Sequence, residues 1–168
     1  DGLMSMTAPD DDTAGRLMVW HGPPGTGKTH ALRALAHEVS PWCDVDYIID
    51  ADAFFEQASY MVSALVMGND TQVDDRWRLV VIEDAGRYLL SDAQEKIGEG
   101  LGRLLNLADG LVGQGLRQLI LMTTNEPVED LHPAVTRPGR CLSNLRFGPL
   151  TKTDANRWLK AHGVKPTA

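Results

Sequence analysis

The chain has 168 residues, enough for one domain with its own core, and its 43% hydrophobic and 23% charged make-up is that of an ordinary globular protein. No apolar run reaches membrane-spanning length, no signal-peptide pattern opens the chain, and the two cysteines, Cys43 and Cys141, form neither a CxxC pair nor a cluster with histidines. That argues against a membrane span, a disulfide scaffold and a thiolate metal site, and for reduced thiols in a cytoplasmic setting. The net charge is −7 but uneven: from Arg137 onward there are seven Lys/Arg and one acid, Asp154, so this end is +6 and the rest is −13. An acidic chain argues against bulk nucleic-acid binding, and a basic end on an acidic body fits either a solvated helix or head-to-tail self-association.

Residues 1–15 are polar and acidic, without periodicity, and read as a flexible leader or the cut end of a larger protein. A strand is expected at about 16–21 and a helix at about 29–39, with Leu32, Leu35, Ala36 and Val39 at helical spacing and Ser40-Pro41 ending it. Residues 45–49 read as a second strand. Residues 54–67 read as one helix with Phe55, Ala58, Met61, Val62 and Leu65 on a stripe, and 68–75 as a polar loop. Leu79-Val80-Val81-Ile82 is an apolar strand ending at Glu83-Asp84. A helix over 93–108 carries Ile97, Leu101, Leu104, Leu105 and Ala108 on one face. A strand at 118–123 ends at Thr124-Asn125, a short strand lies around 145–147, and a last helix spans 151–162 behind a Thr151-x-x-Asp154 cap. Strands alternating with helices predict a three-layer α/β fold with a central parallel five-stranded sheet.

Residues 22–29 read Gly-Pro-Pro-Gly-Thr-Gly-Lys-Thr between the first strand and the first helix. This is a phosphate-binding loop: Gly22, Pro23, Pro24, Gly25, Thr26, Gly27, Lys28, Thr29 and the adjoining His30 are the expected nucleotide contacts. The glycines allow tight turns and close approach of amides to phosphate oxygens. Lys28 supplies an ammonium to the β- and γ-phosphates, Thr29 a hydroxyl to Mg²⁺, and the helix N-terminus backbone donors. In parallel sheets ligands sit at the carboxyl ends of strands. There the third strand delivers Glu83 and Asp84, one for the metal shell and one to orient or deprotonate water, and the fourth delivers Asn125 to position that water or sense the γ-phosphate.

From residue 100 the chain reads Gly100-Leu-Gly-Arg-Leu-Leu-Asn-Leu-Ala-Asp-Gly110, then Leu119-Ile-Leu-Met-Thr-Thr-Asn125, then Pro133-Ala-Val-Thr-Arg137-Pro-Gly-Arg140. Together with the phosphate loop this resembles the AAA branch of the AAA+ ATPases over residues 16–150. The Glu-Asp order, in place of the more usual Asp-Glu, resembles the subgroup of the mitochondrial translocase of the Rieske protein, and by position in that pattern the resemblance implies Glu83 with Thr29 for Mg²⁺ and Asp84 for the water. The resemblance implies a P-loop ATPase that binds ATP and Mg²⁺, cleaves ATP to ADP and phosphate, and remodels or translocates a macromolecular client, a protein in the first place. It implies assembly into a ring, with Arg137 and Arg140 as arginine fingers reaching the neighbouring subunit's nucleotide. It also implies that 151–168 begin a helical lid, here truncated. A substrate-threading loop would follow the second strand, with Phe54, Phe55, Tyr60 and Met61 as candidates, although their helical spacing favours burial. Two other readings are a nucleotide-gated scaffold with little hydrolysis and a nucleic-acid-directed ATPase resembling a helicase loader.

Overall fold

The computed structural model describes residue 9 and residues 15–66, 76–92, 95–109 and 116–164. Five strands alternate with helices: β1 (Leu17–His21), α1 (Lys28–Val39), β2 (Cys43–Ile48), α2 (Ala51–Glu56), α3 (Ala58–Leu65), β3 (Trp77–Ile82), α4 (Gly86–Leu89), α5 (Glu95–Asp109), β4 (Gln118–Thr124), a 3₁₀ turn (Val128–Asp130), α6 (Pro133–Thr136), β5 (Cys141–Arg146) and α7 (Lys152–Ala161). The strands form one sheet in the order β2-β3-β4-β1-β5, and every pairing is parallel.

The pleat sorts the apolar side chains into two cores. Leu17, Val19, Val80, Ile82, Ile120 and Met122 face one side, where α2 to α6 cover them. Met18, Trp20, Leu79, Val81, Leu119 and Leu121 face the other, where Leu32, Leu35 and Val39 of α1 pack. Because β1, β3 and β4 are buried on both faces, they read in sequence as continuous apolar runs, as parallel strands do. The three-layer α/β fold with a five-stranded parallel sheet is as expected.

Three local features differ from expectation. The helix expected over 54–67 is two helices, broken at Gln57, whose backbone is extended (φ −104, ψ 103). The adjacent Phe54 and Phe55 are both fully buried, and so are Met61 and Leu65. The extended residue changes the direction of the chain, and both α2 and α3 still turn their apolar side chains to the same core. Phe54, Phe55 and Met61 are therefore core residues, with Tyr60 packed against them, and do not form an exposed threading loop. The last strand spans Cys141–Arg146 rather than 145–147. It is an edge strand with four exposed residues, so it carries no apolar run to mark its start. The short α4, the 3₁₀ turn and α6 fall below the length at which periodicity can signal. The expected 68–75 loop, the contribution of Ile97, and most of the 1–15 segment lie outside the described residues or side chains.

α7 has the expected cap, the Asp154 amide donating to Thr151 Oγ1 at 3.1 Å, and buries no residue fully. Trp158 stands half exposed and stacks on His162 at 4.1 Å.

Candidate functional site

β1 lies where the strand order reverses, between β4 and β5, so the crevice beyond its carboxyl end is the natural ligand position. The segment leaving β1 turns through Gly25 (φ 76) and Gly27 (φ 96), left-handed conformations that favour glycine, with open space where side chains would project. Thr26 Oγ1 closes the turn by donating to the Pro23 carbonyl at 2.7 Å. Gly27 is the N-cap of α1 and offers no side-chain cap, which leaves the first-turn amides to face the crevice. Gly22 has a packing reason to be glycine besides the one expected. A Cβ there would stand 2.0 Å from the Phe147 carbonyl oxygen, so the joint between β1 and the end of β5 by itself requires glycine at this position.

Lys28 is buried, and its Nζ donates to the Gly22 carbonyl (2.6 Å), the Pro23 carbonyl (3.2 Å) and Asn125 Oδ1 (2.8 Å). Burial holds its pKa below the usual lysine value, while Asp84 and then Glu83 pull in the opposite direction. Thr29 Oγ1 donates to Glu83 Oε1 at 2.7 Å. Asn125 Nδ2 approaches Asp84 Oδ1 at 3.5 Å. The β3–β4 ladder ends at Ile82–Met122, so Glu83, Asp84 and Asn125 all project just past the paired strands. With Pro24, Gly25, Gly27, Lys28, Thr29, His30 and Thr123 they line a cleft of about 370 Å³. Thr29 and Glu83 present two hard oxygen donors side by side, a set that fits Mg²⁺. Among the described residues no group of three or more His, Cys, Asp or Glu could hold a metal ion by themselves.

Two polar neighbours went unnoticed in the sequence. Tyr47, half exposed near the end of β2, donates its hydroxyl to Glu83 Oε2. Thr123 Oγ1 accepts the Asp84 amide at 3.1 Å. Both contacts depend on strand register, which residue identity alone does not reveal. His21, buried at the end of β1, has its pKa lowered, chiefly by burial and then by Arg146, so it is neutral near pH 7.

Arg137 and Arg140 are not in this cleft. The Arg140 carbonyl accepts the amides of Arg16 (3.0 Å) and Leu17 (3.1 Å), which places it beside the amino end of β1. β1 has five residues and, at about 3.3 Å per residue, is roughly 17 Å long. The two arginines therefore flank the opposite rim of the sheet from Lys28, and Arg137 is exposed.

A three-layer α/β fold of this strand order, with a glycine-rich loop after β1 and acids after β3, is the P-loop class of fold. Residues 18–149 match the ATPase family associated with various cellular activities (AAA), and the chain belongs to that family. It is 33% identical over 129 residues to the mitochondrial chaperone BCS1 of Bos taurus, covering 71% of this chain and 28% of that protein. It is 29% identical over 156 residues to a probable 26S proteasome regulatory subunit 10B of Caenorhabditis elegans, covering 87% and 36%. The fold is similar to that of a chain in the solved E. coli MS115-1 HORMA:CdnC:Trip13 complex, with a TM-score of 0.68 and 20% identity over 89% of this chain and 54% of that one. The chain thus spans about a third of the length of these two relatives and about half of that structure. Among the described residues no helix is long and apolar enough to cross a membrane.

Proposed function

We propose that this chain is the catalytic core of an AAA ATPase that hydrolyses Mg·ATP to ADP and phosphate and uses the cycle, within a ring, to remodel a protein client. One observation carries the reading. Lys28, Thr29, Glu83, Asp84 and Asn125, from three separate strand ends, converge in one cleft and are linked by hydrogen bonds. In this reading the loop 22–29 binds the phosphates through α1 amides and Lys28. Thr29 and Glu83 hold Mg²⁺, which would neutralise charge on the β- and γ-phosphates. Asp84, exposed beside Asn125, accepts the proton of the attacking water while the Asn125 amide orients it. The Thr29–Glu83 contact supports Glu83 rather than Asp84 as the metal-side acid.

Arg137 and Arg140 sit too far from their own chain's cleft to act there, which supports a role in trans at a head-to-tail contact. Fingers of this kind are worth roughly 10³–10⁵ in rate. The resemblance to a chaperone and a proteasome regulatory subunit supports a protein client. The test is Mg²⁺-dependent phosphate release as a function of protein concentration. Turnover per chain should rise on assembly. Mixing Arg140→Ala chains with Lys28→Ala chains should recover activity that neither has alone. Activity in an assembled sample that ignores both arginines refutes the in-trans assignment.

A second reading, a nucleotide-gated scaffold, is favoured by the Lys28 ammonium being held by two loop carbonyls and Asn125. It predicts tight ATP binding with no steady-state phosphate release.

A further inference from the structure

We propose that Thr123 is a positioning residue for Asp84. Its hydroxyl and carbonyl oxygens clamp the two amides that follow Glu83 and hold Asp84 in a left-handed backbone conformation, with its carboxylate beside Asn125. The proposal rests on the reading that Asp84 serves the attacking water.

Past the last paired residues, Ile82 and Met122, β3 does not continue as extended chain. Asp84 has φ 53, the one positive φ at a non-glycine among the described residues. Aspartate tolerates this region better than most residues, yet the conformation persists only where its surroundings enforce it. Thr123 supplies the enforcement. It is 1% exposed, its Oγ1 accepts the Asp84 amide at 3.1 Å, and its carbonyl accepts the Ala85 amide at 2.9 Å. Any residue offers the carbonyl, but the hydroxyl acceptor requires Thr or Ser. Valine has the same shape and would leave the Asp84 amide facing a methyl group.

The neighbouring threonine does other work. Thr124 Oγ1 accepts the Glu126 amide at 3.0 Å and lies 2.8 Å from where a Cβ on Gly86 would stand. Two residues beyond Thr123, Asn125 contacts both Asp84 and Lys28. One strand end therefore sets the acid by its backbone through Thr123 and by its side chain through Asn125. A displacement of about 1 Å at a reacting group can cost on the order of 10² in rate, so the clamp is a determinant of turnover rather than of binding.

The test uses the full chain as wild type, Thr123→Val, Thr123→Ser and Asp84→Asn. Hydrogen exchange followed by NMR should show the Asp84 amide at least about tenfold less protected in Thr123→Val and unchanged in Thr123→Ser. Single-turnover hydrolysis of Mg·ATP should fall on the order of 10²-fold in Thr123→Val with ATP affinity unaltered, and should recover in Thr123→Ser. Should Thr123→Val fail to fold, Thr123→Ala removes the same acceptor without new bulk and carries the same expectation. An Asp84 amide equally protected in the valine or alanine variant overturns the clamp. A rate unchanged by losing the hydroxyl, or one that serine does not restore, overturns its catalytic consequence. Wild-type turnover in Asp84→Asn, or none in the wild type, strikes instead at the underlying reading of Asp84, and amide exchange alone then judges the clamp.

Discussion

Replacing Lys28 by methionine separates nucleotide binding from folding, because the structure makes the two effects differ in size. Methionine keeps a flexible chain of similar length in the buried slot and removes the ammonium. Burial already opposes the charged form of Lys28, so removing the charge relieves a desolvation penalty on folding. Against this stands the loss of three hydrogen bonds from the ammonium to Gly22, Pro23 and Asn125, each worth about 1.5–3 kcal/mol for a charged donor. Pro23 and Asn125 are exposed, and their oxygens can turn to water. The opposing effects are of similar size, so the net change in stability should stay within about 2 kcal/mol, or a Tm shift of several degrees. ATP binding has no such compensation. A charge-assisted contact to phosphate is worth about 1.5–3 kcal/mol, so Kd should rise by roughly 10- to 10²-fold. Calorimetric titration with Mg·ATP and a thermal melt on the same sample measure the two quantities. A folded Lys28→Met chain that binds ATP as tightly as wild type would remove the phosphate-site assignment. A collapse in Tm with affinity retained would make Lys28 a structural strut.

The acids should divide by function: Asp84→Asn should retain Mg·ATP and lose turnover by about 10²-fold or more, while Glu83→Gln should also weaken the Mg²⁺ dependence of binding. Normal hydrolysis in Asp84→Asn beside a dead Glu83→Gln reverses the assignment. Gly100→Ala should destabilise by about 1–3 kcal/mol in a urea titration, since its Cβ would meet the Phe55 carbonyl of α2 at 2.6 Å. Gly98→Ala and Gly102→Ala on the same helix have open space and should stabilise by up to about 1 kcal/mol. In alkali, burial pushes Cys43 from 9.0 up to about 12 and Tyr88 from 10.0 up to about 12. Between roughly pH 9 and 12 the unfolded chain therefore binds fewer protons than the native one. Their contribution is fully present below that window and is lost as pH rises, with a slope of up to about 1.4 kcal/mol per pH unit for each group. Denaturation midpoints measured from pH 8 to 11 should fall, and Cys43→Ala should flatten the fall; an unchanged slope would mean that Cys43 is not protected by burial.

The sequence disclosed those parts of the fold whose signal is local. β1, β3 and β4 are buried on both faces, and a run such as Leu79-Val80-Val81-Ile82 admits few other readings. β5 was placed too late because an edge strand buries little and so need not be apolar. The break at Gln57 leaves no mark in the sequence because helical spacing runs through it, and only the extended backbone of that residue reveals it.

The cleft was legible for a different reason. In a parallel sheet the residues that follow each buried run stand at the carboxyl rim, so Glu83, Asp84, Asn125 and the loop that carries Lys28 can be gathered from the strand ends in the sequence alone. That argument orders strand ends but not their neighbours. It could not pair Tyr47 with Glu83, or Thr123 with Asp84, because both contacts depend on the β2–β3 and β3–β4 registers. Nor could it see that Gly22 answers to the Phe147 carbonyl, since β5 joins β1 from the far end of the chain. The same logic, applied to the amino rim, explains Arg137 and Arg140. They precede β5, a strand parallel to β1, so they emerge one strand length from their own phosphate loop. A residue placed there stands away from its own chain's cleft, and this is why the mixing experiment, rather than any single-chain measurement, decides what the two arginines do.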